Sequence, residues 1–324
     1  MTVCVAAIAS WIDEDGKRRP IILLAADRML TSGGGRREYE LRDQTKLIWL
    51  DGPKGDYSDK IALMVSGIYD DLDAIGKKAG KRMQQEGITA IADIAAVVAD
   101  VLGEYRRERV ERMHLAPYNL RIDEFVSRQG EFPQTFIEKI EGKLNDRDDD
   151  IGDFILAGFD ETGAHLYTIH DPGWEQPHDG TGYAAIGIGY ELAEGIFQSS
   201  LYTPFTDWLQ AMTMTFFAKK TGEGASGVGP NTDLWYVLET GHHYFPPLSP
   251  TTMALDQMYA EKWEAERQAI LNSAAKLGSI LVEEIHAKEV TPEPGEQEET
   301  PVETTGHDEA GVSDGPEEGE PEAD

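Results

Sequence analysis

Residues 21–34 read IILLAADRMLTSGG. Six consecutive apolar residues, Ile21–Ala26, stop at the charged Asp27, and a glycine run begins at Gly33. An apolar run this short reads as a strand buried on both faces, so the sheet that holds it must be covered on both sides. Asp27 closes that strand in one of two ways. It forms an Asx turn that merely ends the strand, or it orients a cation at the strand's end.

The neighbouring segments extend the pattern. Thr2–Ala9 alternates as a strand, and Asp13–Gly16 is a turn between it and the apolar run. Lys46–Leu50 and Ile61–Val65 are further strands. The period then becomes helical. Asp70–Gln85 is a helix stopped near Gly87, and Ile91, Ile94, Ala95, Val98, Val101 and Leu102 recur on one face of a second helix. Residues 115–150 are more charged and read as an insertion or surface excursion. DFILAGF and AHLYTIH, joined by Asp160–Gly163, form a hairpin. A short strand YAAIGIG, helices over Tyr190–Gln198 and Thr206–Lys220, a last strand Leu234–Leu238 and a long terminal helix over residues 251–288 complete the order. Blocks of strands and blocks of helices, without strand–helix alternation, argue an α+β protein with antiparallel sheets covered by helix layers.

Composition narrows the function. The 324 residues carry a net charge of −31. Fourteen acidic residues and no Lys or Arg lie between Glu289 and Asp324. That tail, with segments such as TPEPGEQEETPVETTG, has too little apolar area to offset its ordering entropy, and residues 289–324 read as disordered. A chain this acidic is not built to bind nucleic acid through the phosphate backbone. The sequence holds no run of about 18 apolar residues, so no membrane span is expected. The absence of a basic leader and the single cysteine, Cys4, point to a cytoplasmic setting.

Four places can carry chemistry. Thr2 becomes the first residue if Met1 is removed. A terminal threonine has a hydroxyl and an amine on adjacent carbons, and the amine's pKa near ~8 suits it as base for its own hydroxyl. Alone, Thr2 reads as an ordinary strand residue. Lys46 opens an apolar strand; it either snorkels from the strand end or holds positive charge beside a nucleophile. In MVSGIYDD, residues 64–71, a strand runs through Ser66–Gly67 into an acidic helix start. Backbone N–H groups at such a turn can face an oxyanion. The histidines lack metal-ligand spacing, and neither a metal nor another cofactor is expected.

Taken in order, TVCVAAIA, ILLAADRMLTSGG, TKLIWL and IALMVSGIYDDLDAI resemble the proteasome β-subunit and HslV-like family of N-terminal-nucleophile hydrolases. DFILAGFDETGAHLYTIHDPG and GPNTDLWYVLETG continue the likeness, which covers about Thr2–Gly241. It implies a four-layer αββα sandwich over residues 2–288. It also implies a threonine peptidase with Thr2 as nucleophile and Asp27 and Lys46 setting the charge around it. Ser66, Gly67, Thr31 and Met64 would form the oxyanion and substrate-binding region. The implied setting is a homo-oligomeric ring acting on peptide or unfolded-protein substrates, with an ATP-dependent unfoldase as a possible partner. The chain departs from the family where Ile188, between Gly187 and Gly189, replaces the usual serine. That departure keeps open a ring-forming scaffold without catalysis, and the fold also admits an amide hydrolase acting on a small molecule.

Overall fold

A computed structural model describes residues 2–32, 37–40, 45–50, 60–144 and 151–290. The acidic tail beyond residue 290 lies outside the described residues, as do residues 145–150 of the expected excursion. The chain divides into two units, Met1–Glu264 and Ala265–Asp324.

The first unit is built on two five-stranded antiparallel sheets. β1 (Cys4–Ile12) and β2 (Arg18–Asp27) pair from Cys4 opposite Ala26 to Ile12 opposite Arg18. The other early strands are β3 (Met29–Ser32), β4 (Arg37–Glu40), β5 (Leu47–Trp49) and β6 (Ile61–Gly67). After two helices, α1 (Tyr69–Glu86) and α2 (Ile91–Val110), come two more, α3 (Ile122–Ser127) and α4 (Gln134–Leu144). Then follow β7 (Gly152–Asp160), β8 (Gly163–His170), β9 (Trp174–Pro177), β10 (Tyr183–Ile186), α5 (Tyr190–Ser199), α6 (Trp208–Gly222), β11 (Thr232–Leu238), β12 (Gly241–Phe245) and α7 (Pro250–Val290). One sheet has the order β10-β1-β2-β11-β12 and the other β5-β6-β7-β8-β9, while β3 and β4 form a separate hairpin.

The period-2 alternation of β1 explains the layering. Cys4, Ala6 and Ile8 join Ile22, Leu24 and Ala26 of β2 in a core with Ala62, Met64, Ile155 and Ala157 of the other sheet. Val3, Val5, Ala7 and Ala9 face the opposite way, onto Ala193, Phe197, Phe216 and Ala218 of α5 and α6. On the far side, Leu63, Val65, Phe154 and Leu156 pack against Leu72, Ile75, Ile94 and Val98 of α1 and α2. The result is helix, sheet, sheet, helix. Neither face of β1 or β2 meets water over most of its length, which is why both read as apolar runs.

Several details differ from the sequence reading. Leu234–Leu238 is not the last strand, because β12 pairs with β11 from Leu238 opposite Gly241 to Leu234 opposite Phe245. β9, with all four residues exposed, and the β3–β4 hairpin were also not expected. In the expected excursion, Leu115, Phe125 and Ile140 form a small core of their own with Phe132 and Phe136. The aromatic residues build it and the charges stay outside. The described part of the second unit is helix, the C-terminal portion of α7. No helix among the described residues is long and apolar enough to cross a membrane.

Cys4 shows how tightly the two sheets close. It is fully buried, its thiol donates to the Val65 carbonyl at 3.4 Å, and burial pushes its pKa up to about 12. A thiol that is neither accessible nor ionised does not react. Cys4 is therefore expected to stay unmodified by a thiol-reactive probe in the native protein and to react fully in denaturant, read by intact mass.

Candidate active site

The ends of three strands converge on one buried cluster. Thr2 precedes β1, Asp27 closes β2 and Lys46 precedes β5, and they are 4%, 0% and 1% exposed. Lys46 Nζ donates to Asp27 Oδ1 at 2.8 Å and to Thr2 Oγ1. The register of β1 and β2 brings the backbones of Val3 and Asp27 together. The Val3 N–H donates to Asp27 Oδ1 at 3.0 Å, and the Asp27 N–H donates to the Val3 carbonyl at 3.3 Å. Asp27 Oδ2 accepts from the Met29 N–H at 2.9 Å and the Gly229 N–H at 3.1 Å. The carboxylate thus has four donors, enough to replace the water it has lost. Of the two readings that the sequence allows for Asp27, both apply. It caps its own strand through Met29 and holds a cation.

Lys46 is fixed from the other sheet. Its carbonyl accepts the Val65 N–H at 3.0 Å, one residue before Ser66. Ser66 is 7% exposed, and Gly67 ends β6 opposite Gly152. Gly67 has φ +146° and sits so close to the next strand that an added Cβ would lie 2.2 Å from the Ile151 carbonyl oxygen. Gly187, at φ +91°, lies over Thr2. A Cβ there would be 2.2 Å from the Thr2 carbonyl oxygen and 2.8 Å from Ser66 Oγ. Gly187 therefore sets Ser66 beside Thr2. Met64 is fully buried in the core between the sheets, opposite Leu47. Thr31 lies in β3 opposite Glu38, and its side chain is outside the described residues. Ile188 is 54% exposed. The adjacent His242 and His243 point apart, stacking on Trp49 at 4.1 Å and Tyr236 at 5.2 Å.

Three supporting groups were not anticipated from the sequence. Gly229 supplies one donor to Asp27. Lys219 of α6, fully buried, holds that loop by donating to the carbonyls of Gly229 at 2.8 Å and Asn231 at 3.1 Å. It also pairs with Glu223 at 2.6 Å; burial lowers its pKa and Glu223 opposes that shift. Arg28 pairs with the buried Asp233 at 2.6 Å and donates to the Tyr244 hydroxyl, tying the end of β2 to β11 and β12. The sequence signal for Lys219 is faint, because a lysine in the last turn of a helix also reads as a cation complementing the helix dipole.

A buried ion pair that loses one member leaves an uncompensated charge, at a cost of about 3–5 kcal/mol. Lys46→Met is therefore expected to destabilise the protein by about 3 kcal/mol in chemical denaturation. Adding Asp27→Asn to Lys46→Met is expected to recover part of that loss, since the stranded charge is gone. A double variant that loses the full sum of the two single changes would contradict the pairing.

No family model matches the sequence, and no curated protein matches it. Among solved structures, the chain is similar to Anbu, described as an ancestral beta-subunit, from Yersinia bercovieri, with a TM-score of 0.56 and 15% identity over 82% of this chain and 97% of that one. It is likewise similar to the Gly-1 mutant of Anbu from Hyphomicrobium sp. strain MC1, with a TM-score of 0.54 and 17% identity over 83% and 96%. At these identities the likeness shows the fold. The two antiparallel sheets between helix layers, the four-layer αββα sandwich, are the fold that this chain shares with the Anbu structures.

Proposed function

We propose that this chain is a threonine-type peptidase and a subunit of a proteasome-like assembly, with Thr2 as its nucleophile once Met1 is removed. The observation that supports it most is the buried chain from Asp27 through Lys46 to the Thr2 hydroxyl. A lysine inside a core is costly, and a protein that needs only a strand end has no use for one. An ammonium donating to the hydroxyl favours its ionised form.

The steps follow from those groups. Thr2 Oγ attacks a peptide carbonyl and gives its proton to the freed α-amine, directly or through a water. The tetrahedral oxyanion faces the backbone at Ser66–Gly67. The carbon–nitrogen bond breaks, the departing amine takes the proton, and an ester remains on Thr2. Water, deprotonated by the same amine, then hydrolyses that ester. The likeness to a structure described as an ancestral beta-subunit supports the assembly. Peptides or unfolded proteins would be its substrates, and a homo-oligomeric ring, an ATP-dependent unfoldase and a cytoplasmic location belong to the same reading.

One observation favours the second reading, a ring-forming scaffold without catalysis. The Gly187–Gly189 turn beside Thr2 presents Ile188 and so brings no hydroxyl. A fluorogenic peptide panel separates the two. The peptidase cleaves at least one member, and Thr2→Ala lowers that rate by about 1,000-fold or more. Hydrolysis that persists in Thr2→Ala places the activity elsewhere, and no hydrolysis of any peptide leaves the scaffold.

A further inference from the structure

A cleft of about 480 Å³ begins at Gly187. Gly187 packs against the Thr2 carbonyl and the Ser66 hydroxyl, so one end of the cleft lies against the backbone of Thr2. The register of β6 and β7 sets Asp153 opposite Ser66, which brings a carboxylate to the same end. The rest of the lining includes His170, His178, Tyr190 and Glu194, and no lysine or arginine among the described residues.

The polar groups of the cleft form a consistent chain. Asp153 Oδ1 lies 3.1 Å from His170 Nδ1, His170 Nε2 lies 3.1 Å from Thr168 Oγ1, and Thr168 Oγ1 lies 2.9 Å from His178 Nε2. Two neutral imidazoles satisfy every one of these contacts. The N–H of His178 donates to the threonine hydroxyl, that hydroxyl donates to His170, and the other N–H of His170 donates to Asp153. Burial, with His170 alongside, lowers the pKa of His178, which agrees with a neutral ring. In that arrangement the chain places no net positive charge against Asp153, whose side chain is 35% exposed. Glu194 is half-buried. Burial raises its pKa, and only the backbone of Ala185 opposes that shift. The cleft thus holds two carboxylates, which accept hydrogen bonds, with no side-chain ammonium or guanidinium among the described residues of its lining.

We infer that this cleft is the subsite for a lysine or arginine side chain of the substrate, next to the bond presented to Thr2. A cation between Asp153 and Glu194 returns to each carboxylate the stabilisation that water gave it. An acidic side chain meets two like charges there. The inference rests on the peptidase reading, since it assigns that enzyme's preference.

Two measurements on the full chain test it, and they fail independently. In the first, peptides that differ only in lysine, arginine, norleucine or glutamate at each position flanking the scissile bond are cleaved and read by mass spectrometry. At one position lysine or arginine is expected to raise kcat/KM about tenfold over norleucine. The ratio is expected to fall to about 1 in Glu194→Gln combined with Asp153→Asn, and to an intermediate value in Glu194→Gln alone. Equal rates for lysine and norleucine, or a ratio that survives in the double variant, overturn the inference. In the second, the Thr2→Ala protein is titrated calorimetrically with the arginine and norleucine peptides. Tighter binding of the arginine peptide, lost in Glu194→Gln, supports the subsite even if nothing is cleaved. Equal binding of the two overturns it. Absence of all cleavage counts against the peptidase reading alone.

Discussion

The ammonium of Lys46 lies inside the protein against Asp27, and the rest of the site is arranged around that one buried pair. Removing two charges from water costs several kcal/mol per ion, and only close geometry with further hydrogen bonds offsets it. Each neighbouring element contributes to that offset. β1 gives the Val3 N–H, the chain after β2 gives the Met29 N–H, and the loop after α6 gives the Gly229 N–H. Lys219 holds that loop from behind. The pair also spans the interface between the sheets, because Asp27 ends a strand of one and the Lys46 carbonyl is bonded to Val65 of the other. The inter-sheet core and the charge pair therefore close together.

The parts of the fold that lie in the core are the parts that the sequence expresses clearly. Ile21–Ala26 and Thr2–Ala9 are apolar because both faces of their sheet are covered, and the paired helices carry their period because one face of each is buried. Two strands that escaped the reading, β9 and β12, are edges of their sheets. β9 has four exposed residues, and β12 alternates weakly because none of its residues is fully buried. Neither has a burial pattern to impress on its sequence. The small core of Leu115, Phe125 and Ile140 was hidden for another reason, since the charges between those residues mask a spacing set by short helices.

The site was legible in its residue types and not in its geometry. Thr2, Asp27 and Lys46 each have an ordinary explanation when taken singly. Sequence separations of 19 residues from Asp27 to Lys46 and 44 from Thr2 to Lys46 carry no periodic signal. Only the resemblance in order and spacing drew them together, and the strand register then brought them into contact. Lys219 and Gly229 stayed invisible because their effect on Asp27 passes through a loop and a backbone N–H. The cleft beside Gly187 escaped for a similar reason. Its lining comes from β7, β8, β9, β10 and α5, and the histidines that form it have no motif spacing.

Strand and nucleophile make the same demand of Thr2. The backbone pairing that begins at Cys4, and the tether of Val3 to Asp27, hold Thr2 where the Lys46 ammonium meets its hydroxyl. What the strand cannot supply is a free amine. Mass spectrometry of the intact purified protein, followed by sequencing of its first residues, is the most direct measurement. A chain that begins at Thr2, lighter by one methionine, is the expected result. Met1 retained throughout the population would contradict the assignment of Thr2 as an N-terminal nucleophile.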